Sequence, residues 1–447
     1  MRPTRHPAGQ VKRIESSETI LDTPTRLAAP AATDPRARLT VVPRRSRLRA
    51  LGINSALVLV SLAIATCAAE LATRAIVPQQ LIVLRSDVWE PADTLGWRTI
   101  GNLATSINTG ERTVSLFTDD QGFRTGKQGR PKGAKRVLVL GDSFMAALQV
   151  EYEHSVPGFL ESRLPEHLGE PVEVWNAGVP GWEPSQYLLR AKAVLPSAPF
   201  DVVLISLYVG NDVVRRKVDA FERRAPALRH SLRFPRSLDL AELIDAVLYP
   251  INDFLEERSH LFVFAKKRAQ TVMMKTGITA QYFPSEFLRS QANIPSWAAT
   301  ADICEEIASE ARRHGARPIF FLIPAPFQVD SAEFHRFVRG FGIDTSAVDL
   351  EQPTARLRDE LRERNLEVID ALPPLRRAHQ AQGPQYGSVD DHLNQLGNRT
   401  VADALIPSLV RHLRTPRGEL RRSAMRAGMP TTASFDVAMT AALAGSR

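Results

Sequence analysis

Cysteine is scarce in this chain, whose 447 residues include only Cys67 and Cys304. Cys67 lies in an apolar run and Cys304 in a segment with helical periodicity, so we do not expect them to pair, and a disulfide framework is excluded. The sequence also has no cysteine and histidine cluster with metal-ligand spacing, no phosphate-binding G-x-x-x-x-G-K-[ST] loop and no internal repeat. These absences predict a chain that uses neither a metal nor another cofactor.

Negative charge is too sparse at the two ends of the chain to balance the arginines there. The formal net charge is +8, of which residues 1–49 carry +7 and residues 414–447 carry +4, leaving −3 for residues 50–413. A nucleic-acid-binding domain needs a basic patch on a folded surface, so we predict no nucleic-acid partner. Both ends have little hydrophobic periodicity, and we expect a disordered basic tail over 1–49 and a flexible tail over 414–447.

One long run lacks charge altogether. Residues 50–69 (ALGINSALVLVSLAIATCAA) are twenty uncharged positions, and a helix of that length spans about 30 Å, the thickness of the hydrocarbon layer. Four arginines precede the run between positions 44 and 49. The positive-inside rule therefore predicts a single-pass inner-membrane helix over 50–70, with the N-terminus in the cytoplasm and the remainder extracytoplasmic. A cleaved signal peptide, a lipidated Cys67 and a buried core helix are the alternatives.

Four short segments, far apart in the chain, carry side chains suited to nucleophilic catalysis. They are 136–144 (RVLVLGDSF), 175–182 (WNAGVPGW), 208–212 (YVGND) and 390–394 (DDHLN). Each of the first three contains or follows the end of a short apolar run that predicts a buried parallel strand. Ligands of open α/β sheets bind outside the carboxyl ends of such strands. A serine, oxyanion donors and a histidine beside carboxylates are therefore expected to meet, as acyl transfer through a covalent serine requires.

These segments, in this order, resemble the four sequence blocks of the SGNH (GDSL-type) hydrolase family, in its membrane-anchored bacterial envelope form. The similarity runs from about residue 136 to residue 412. It implies that Ser143 is the nucleophile and His392 the general base, and that the Ser143 and Gly178 N–H groups form an oxyanion hole with the Asn211 side chain. It also implies a flavodoxin-like three-layer α/β/α sandwich built on a parallel sheet.

The last segment departs from the family pattern, in which the acid of the triad lies three residues before the histidine. Val389 occupies that position here, whereas Asp390 and Asp391 lie two residues and one residue before His392. The resulting D-x-H spacing is similar to a variant found in relatives that O-acetylate bacterial envelopes and polysaccharides. We therefore predict that Asp390 orients the imidazole, with Asp391 as the alternative acid.

The part of the chain after the apolar run is predicted to have two regions. Residues 76–135 show short alternating patches and several aromatics, which indicate a β-rich lead-in. Residues 136–413 alternate strand and helix signals, which predicts an α/β class hydrolase domain with helices on both faces of its sheet. Residues 213–295 form a long insertion directly after Asn211, and we expect either a wall of the acyl or sugar pocket or a packing cap without substrate contact.

The sequence thus predicts a membrane-anchored, extracytoplasmic serine esterase or O-acyltransferase. Its expected partners are short-chain acyl esters, with envelope polysaccharide among the candidates, and the membrane through residues 50–70. Two alternatives remain open at this point. One is a lipase-like or lysophospholipase-like esterase, and the other is a non-catalytic, glycan-binding scaffold that keeps a degenerate form of the fold.

Overall fold

The computed structural model describes residues 44–79, 81, 87–109, 111–213, 249–256, 258–275, 284–341, 344–388 and 391–415. Most of both predicted tails, a large part of the predicted insertion and the residue Asp390 lie outside these ranges. The described strands are β1 (Trp89–Ala92), β2 (Gly96–Thr99), β3 (Ala104–Asn108), β4 (Thr113–Thr118), β5 (Arg124–Thr125), β6 (Lys135–Leu140), β7 (Val172–Asn176), β8 (Val202–Tyr208), β9 (Arg317–Ile323) and β10 (Val368–Asp370). The described α-helices are α1 (Arg44–Ile76), α2 (Ser143–Ala146), α3 (Val156–Leu168), α4 (Pro184–Val194), α5 (Tyr249–Glu256), α6 (His260–Lys275), α7 (Ser296–Arg313), α8 (Pro326–Val329), α9 (Ser331–Phe341), α10 (Gln352–Glu363), α11 (Leu372–Gln382) and α12 (Gln395–Arg414).

Eight of the described strands form one mixed sheet with the order β10-β9-β8-β6-β7-β5-β4-β3. The strands β10, β9, β8, β6 and β7 are parallel, and their order is that of a flavodoxin-like sheet, with the first strand β6 between β7 and β8. The strands β5, β4 and β3 continue the sheet in antiparallel fashion. The predicted α/β class is confirmed, and three strands of the lead-in extend the sheet itself.

Each face of the sheet buries its own apolar cluster because strand side chains alternate between faces. Along β6, Leu138 and Leu140 lie in one cluster, whereas Val137 and Val139 lie in the other. Helices α4, α7 and α10 contribute to the first cluster, and helices α3, α11 and α12 contribute to the second. This is the three-layer arrangement that the alternating strand and helix signals predict.

The chain divides into two compact units, Met1–Ala63 and Ile64–Arg447. Helix α1 contains the apolar run, and its part Leu51–Ile76 is long and apolar enough to cross a membrane, with none of its most apolar window buried. That property rests on length and composition alone. Cys67 is exposed and Cys304 is buried, and both are free thiols.

Within the second unit, Glu70 of α1 binds the N-terminus of α6. Its carboxylate accepts hydrogen bonds from Ser259 Oγ at 2.7 Å, His260 N at 2.9 Å and Leu261 N at 2.9 Å. Anionic side chains stabilise a helix at this end because its first N–H groups have no helical acceptor. Ser259 also accepts the Phe262 N–H through its hydroxyl. This capping marks the start of α6, which is a separate helix from α5.

A partly buried carboxylate, that of Glu161, lies on α3. Glu161 accepts a hydrogen bond from Tyr152 Oη at 3.3 Å. Burial raises the pKa of Glu161 from 4.5 to about 7, although that hydrogen bond and the nearby Arg130 charge lower it. The folded protein therefore binds this proton more tightly than the unfolded chain between about pH 4.5 and pH 7, and its stability falls as the pH rises through that interval.

The Glu161→Gln variant is expected to lose this pH dependence. The wild type should lose about 2 to 3 kcal/mol of unfolding free energy between pH 4.5 and pH 8 relative to the variant, because the amide never has to ionise in a buried position. Unfolding of the detergent-solubilised chain at several pH values measures the difference. Glu166→Gln, at an exposed position of the same helix, is the matched control. Parallel stability profiles for wild type and Glu161→Gln would contradict the prediction.

Candidate active site

Ser143 is the first residue of α2, directly beyond the carboxyl end of the central strand β6. The turn between them is tight, since a Cβ on Gly141 would lie 2.5 Å from Met145 Cγ. Asp142 caps the helix, its carboxylate accepting the Phe144 N–H at 2.9 Å. Ser143 therefore presents its hydroxyl at the sheet edge, and its own N–H is one of the helix N-terminal groups that no helical carbonyl accepts.

His392 reaches Ser143 across 249 positions of the sequence, and its Nε2 lies 2.7 Å from Ser143 Oγ. The imidazole is half-buried, and its ring centroid lies 4.9 Å from that of Phe144. The backbone on either side is fixed by an isolated antiparallel bridge between Tyr386 and Leu393 and by Asn394, which caps α12 through the Gly397 N–H. The structure thus brings the predicted nucleophile and base within hydrogen-bonding distance on a rigid support.

The two candidate acids differ in what the structure describes. Asp390 lies outside the described residues, so its role stays a prediction. Asp391 is exposed, and its charge is among the influences that raise the pKa of the buried Tyr386 phenol, after burial itself. Asp390 therefore stays the predicted acid, and Asp391 stays the alternative.

The Gly178 N–H, which we predicted as an oxyanion donor, has an acceptor within the protein. It donates to Asn176 Oδ1 at 3.0 Å, while Asn176 Nδ2 donates to Met145 O at 2.8 Å. A Cβ on Gly178 would lie 2.5 Å from Ala146 N. Gly178 is therefore needed for close packing against α2, and its N–H is not available to a ligand in this conformation.

Gly181, three residues after Gly178, offers the better donor in this loop. Residues 179–182 form a turn closed by a hydrogen bond from Trp182 N to Val179 O at 3.2 Å. Pro180 precedes Gly181, whose φ is +78°, and this combination defines a type II turn. The Gly181 N–H takes no part in closing such a turn, and the residue is exposed. Among the described residues no acceptor takes this N–H.

Asn211 lies in the tight turn after β8, where its N–H donates to Tyr208 O at 3.3 Å. Its side chain is exposed and is close enough to Asp142 to lower the pKa of that carboxyl, against the larger upward effect of burial. The charge on His392 also lowers the Asp142 pKa. Asn211, Ser143 and His392 are thus all neighbours of the buried Asp142 carboxyl, which places the Asn211 amide near Ser143.

A second buried carboxylate, that of Asp212, forms hydrogen bonds next to the turn that contains Asn211. Asp212 accepts hydrogen bonds from Tyr208 N at 2.7 Å and from Tyr187 Oη at 3.1 Å. Burial, with the nearby Asp142 charge as the next cause, raises the pKa of Asp212 well above its ordinary range. These bonds fix the backbone on both sides of Asn211, so the amide is held where it can donate to a developing negative charge.

Replacing Asn211 by alanine is expected to lower kcat for ester turnover by about 10²- to 10³-fold with a smaller change in KM, because an oxyanion donor acts mainly in the transition state. Steady-state kinetics with an activated acetyl ester measures both constants. Asn293→Ala, at another exposed position, should behave as wild type. An Asn211→Ala variant within about threefold of wild type would remove Asn211 from the oxyanion hole.

Comparisons with known proteins give matches in three dimensions only. No family model matches the chain, and no curated protein matches it significantly in sequence. Among solved structures, the match with TesA includes 62% of this chain and 100% of the TesA chain, at 16% identity and a TM-score of 0.34. The match with a lipolytic protein of the G-D-S-L family from Veillonella parvula also includes 62% of this chain and 100% of that protein's chain, at 15% identity and a TM-score of 0.31.

A third similar structure is Axe2, an acetylxylan esterase from Geobacillus stearothermophilus. The match includes 64% of this chain and 96% of the Axe2 chain, at 12% identity and a TM-score of 0.33. Similarities at these levels carry no argument about activity. The case for function therefore rests on the side chains around Ser143. Among the described residues, no group of three or more His, Cys, Asp or Glu side chains is arranged to hold a metal ion.

Proposed function

We propose that the chain is a serine esterase or O-acyltransferase of the SGNH type, with Ser143 as its nucleophile. The observation that supports this most directly is the 2.7 Å contact between His392 Nε2 and Ser143 Oγ at the carboxyl edge of the sheet. A serine hydroxyl is a weak nucleophile until a neighbouring base takes its proton. This pair has the distance that such a proton transfer requires.

In the proposed reaction, His392 Nε2 takes the proton as Ser143 Oγ attacks the ester carbonyl carbon. The carbonyl oxygen becomes negatively charged, and the Ser143 N–H, the Gly181 N–H and the Asn211 amide are its proposed donors. The protonated imidazole then gives its proton to the leaving alkoxide, and the tetrahedral intermediate collapses to an acyl-enzyme. Asp390 is the proposed carboxylate that keeps the ring oriented and stabilises it while it is charged.

The acyl-enzyme is the branch point between hydrolysis and transfer. His392 takes a proton either from water or from an acceptor hydroxyl as that oxygen attacks the acyl carbon. The imidazolium then returns the proton to Ser143 Oγ as the bond between Oγ and the acyl carbon breaks. Both outcomes use the same side chains, and the difference lies in whether the site excludes water while it holds an acceptor. We propose a short acyl group and a sugar hydroxyl of an envelope polysaccharide, on the basis of the family resemblance and the candidate membrane helix.

The proposed location follows from the same helix. Residues 50–70 would anchor the chain in the inner membrane, with residues 1–49 in the cytoplasm and the site in the periplasm. Cysteine labelling supplies a direct test, because cysteines introduced at exposed positions of the catalytic part should react in intact spheroplasts with a membrane-impermeant maleimide, whereas a cysteine introduced among residues 1–49 should react only after lysis. The reverse pattern would contradict the proposed orientation.

The test of the serine uses a fluorophosphonate probe on the full chain in detergent, followed by intact-mass spectrometry. Wild type should gain a single adduct, and Ser143→Ala should gain none. Ser162→Ala, which removes an exposed serine on α3, should label as fully as wild type. Folded wild-type protein that gains no adduct would overturn the proposal of an activated serine and favour a glycan-binding scaffold. A preference for long-chain over acetyl esters in later turnover assays would favour the lipase-like alternative.

A further inference from the structure

Arg124 is an arginine buried beneath the proposed nucleophile, with only 3% of its surface exposed. Its guanidinium donates to four backbone carbonyls. Nη1 bonds Ala146 O and Ala147 O, each at 2.6 Å, while Nη2 bonds Val150 O at 2.7 Å and lies 3.5 Å from Ser115 O. No carboxylate among the described residues lies within ion-pair distance of Arg124, although the charges of Glu151 and Glu153 are close enough to raise its pKa. A buried cation is expensive without an ion partner, so this placement calls for an explanation.

Three of the four carbonyls belong to the end of α2 and the loop that follows it. Helix α2 has only four residues, with Ser143 at its start and Ala146 at its end. The last carbonyls of a helix have no partner within the helix, and a cation near them is favourable. Ala147 adopts a left-handed conformation with φ of +47°, which non-glycine residues rarely adopt. Arg124 therefore holds the segment that ends the nucleophile helix.

A second strand residue acts on the same helix. Arg124 of β5 is paired with Asn176 of β7 in the sheet register, and directly opposed residues point to the same face. Asn176 Nδ2 binds Met145 O at 2.8 Å. Two neighbouring side chains of the sheet thus bind three successive carbonyls, those of Met145, Ala146 and Ala147.

We propose that Arg124 is a positioning residue for the reaction assigned above. It holds the C-terminal end of α2 so that Ser143 Oγ stays at the 2.7 Å distance from His392 Nε2, and this role rests on the proposed function. The lead-in region is then part of the catalytic apparatus, because it supplies this arginine. Burial lowers the pKa of Arg124 to about 10, so the side chain keeps its charge at neutral pH.

The kinetic test compares Arg124→Met with Arg190→Met in the full chain. Arg190 of α4 is the matched control because its guanidinium packs 4.5 Å from the Phe123 ring centroid and donates to Gln121 O, with no bond to α2 among the described residues. Arg124→Met should lower kcat by about 10- to 100-fold with KM within about twofold, since small displacements of reacting groups have large effects. Arg190→Met should keep both constants within about threefold of wild type.

Restoring the lost group distinguishes positioning from a general loss of folding. Free guanidinium, added below denaturing concentration, should raise kcat of Arg124→Ala by about tenfold and should not raise that of Arg190→Ala. Arg124→Lys keeps a cation and should fall between wild type and Arg124→Met. Equal losses in Arg124→Met and Arg190→Met, or a failure of both guanidinium and lysine to restore activity, would overturn the proposal.

Hydrogen exchange gives a readout that does not depend on turnover. The Ala146 and Ala147 amides donate to Asp142 O and Ser143 O, so they report on opening of α2. Arg124→Met should speed their exchange by about tenfold relative to Arg190→Met. If wild type neither labels nor turns over but this acceleration occurs, the proposed function fails while the structural role of Arg124 stands. Unchanged exchange rates at both amides would contradict the proposed positioning role of Arg124.

Discussion

The variant His392→Ala is expected to lose at least about 10⁴-fold in kcat for ester turnover, which corresponds to roughly 5 kcal/mol of transition-state stabilisation. The reason is the loss of the proposed base, since His392 Nε2 is the group that lies 2.7 Å from Ser143 Oγ. KM should change little. Steady-state kinetics with an activated acetyl ester, together with the rate of fluorophosphonate labelling, measures the effect.

Folding of this variant is not expected to be the limiting factor. The backbone around His392 is held by the bridge between Tyr386 and Leu393, and the Leu393 side chain is buried. His379→Ala is the matched control, because His379 is also a partly buried histidine near a carboxylate, with Nε2 3.9 Å from Asp330 Oδ1. It should retain wild-type turnover. A His392→Ala variant that keeps activity within about tenfold would exclude His392 as the base.

The pair Asp390→Asn and Asp391→Asn is expected to differ by about 10³-fold or more in kcat, with the larger loss in Asp390→Asn. Only the carboxylate that binds the imidazole holds its tautomer and stabilises its charged form, so the other aspartate contributes mainly a distant charge. Both substitutions remove one negative charge from adjacent positions, and each therefore serves as the control for the other. The kcat values of the two variants at one fixed pH give the comparison.

Three outcomes of this pair are informative in different ways. A larger loss in Asp391→Asn would assign the acid to the exposed residue that directly precedes His392. Equal large losses would contradict a single orienting carboxylate. Equal small losses would indicate that the imidazole is oriented without either aspartate, and the buried Asp142 carboxyl, whose pKa the His392 charge lowers, would then be the next residue to replace.

The meeting of Ser143 and His392 could be foreseen from the sequence for a simple reason. Short apolar runs mark parallel strands, and the carboxyl ends of those strands lie on one edge of the sheet. The strands β6, β7 and β8 end at Leu140, Asn176 and Tyr208, within a few residues of every catalytic segment except the last. The fold class and the neighbourhood of the site both follow from that regularity.

The choice between Gly178 and Gly181 could not be made in the same way. Both glycines lie in one loop, and the hydrogen-bond acceptor of each N–H decides which of them is available. The Asn176 side chain folds back onto the Gly178 N–H, while Pro180 sets up the turn that leaves the Gly181 N–H unused. A proline followed by a glycine was the available signal, because this pair is typical of a type II turn.

The lead-in region contains features that hydrophobic periodicity in the sequence could not predict. The strand β5 contains only Arg124 and Thr125, which is too short to show an alternating pattern. Its place in the sheet is set by pairing with β4 and β7. A buried arginine whose hydrogen-bond partners among the described residues are backbone carbonyls is also unexpected from composition, since arginine is among the residue types least often buried. Its hydrogen bonds to carbonyls are a tertiary feature that no local pattern reveals.

The contact between Glu70 and α6 determines where the chain can be shortened. A cut on the N-terminal side of Glu70, including one just before Cys67, leaves the carboxylate that Ser259, His260 and Leu261 bind. A cut after Glu70 removes it and exposes the start of α6 without its acceptor. Glu70 is therefore the limit to which the chain can be shortened from this side, and a fragment that begins at residue 78 would lose the cap of α6 together with the apolar helix.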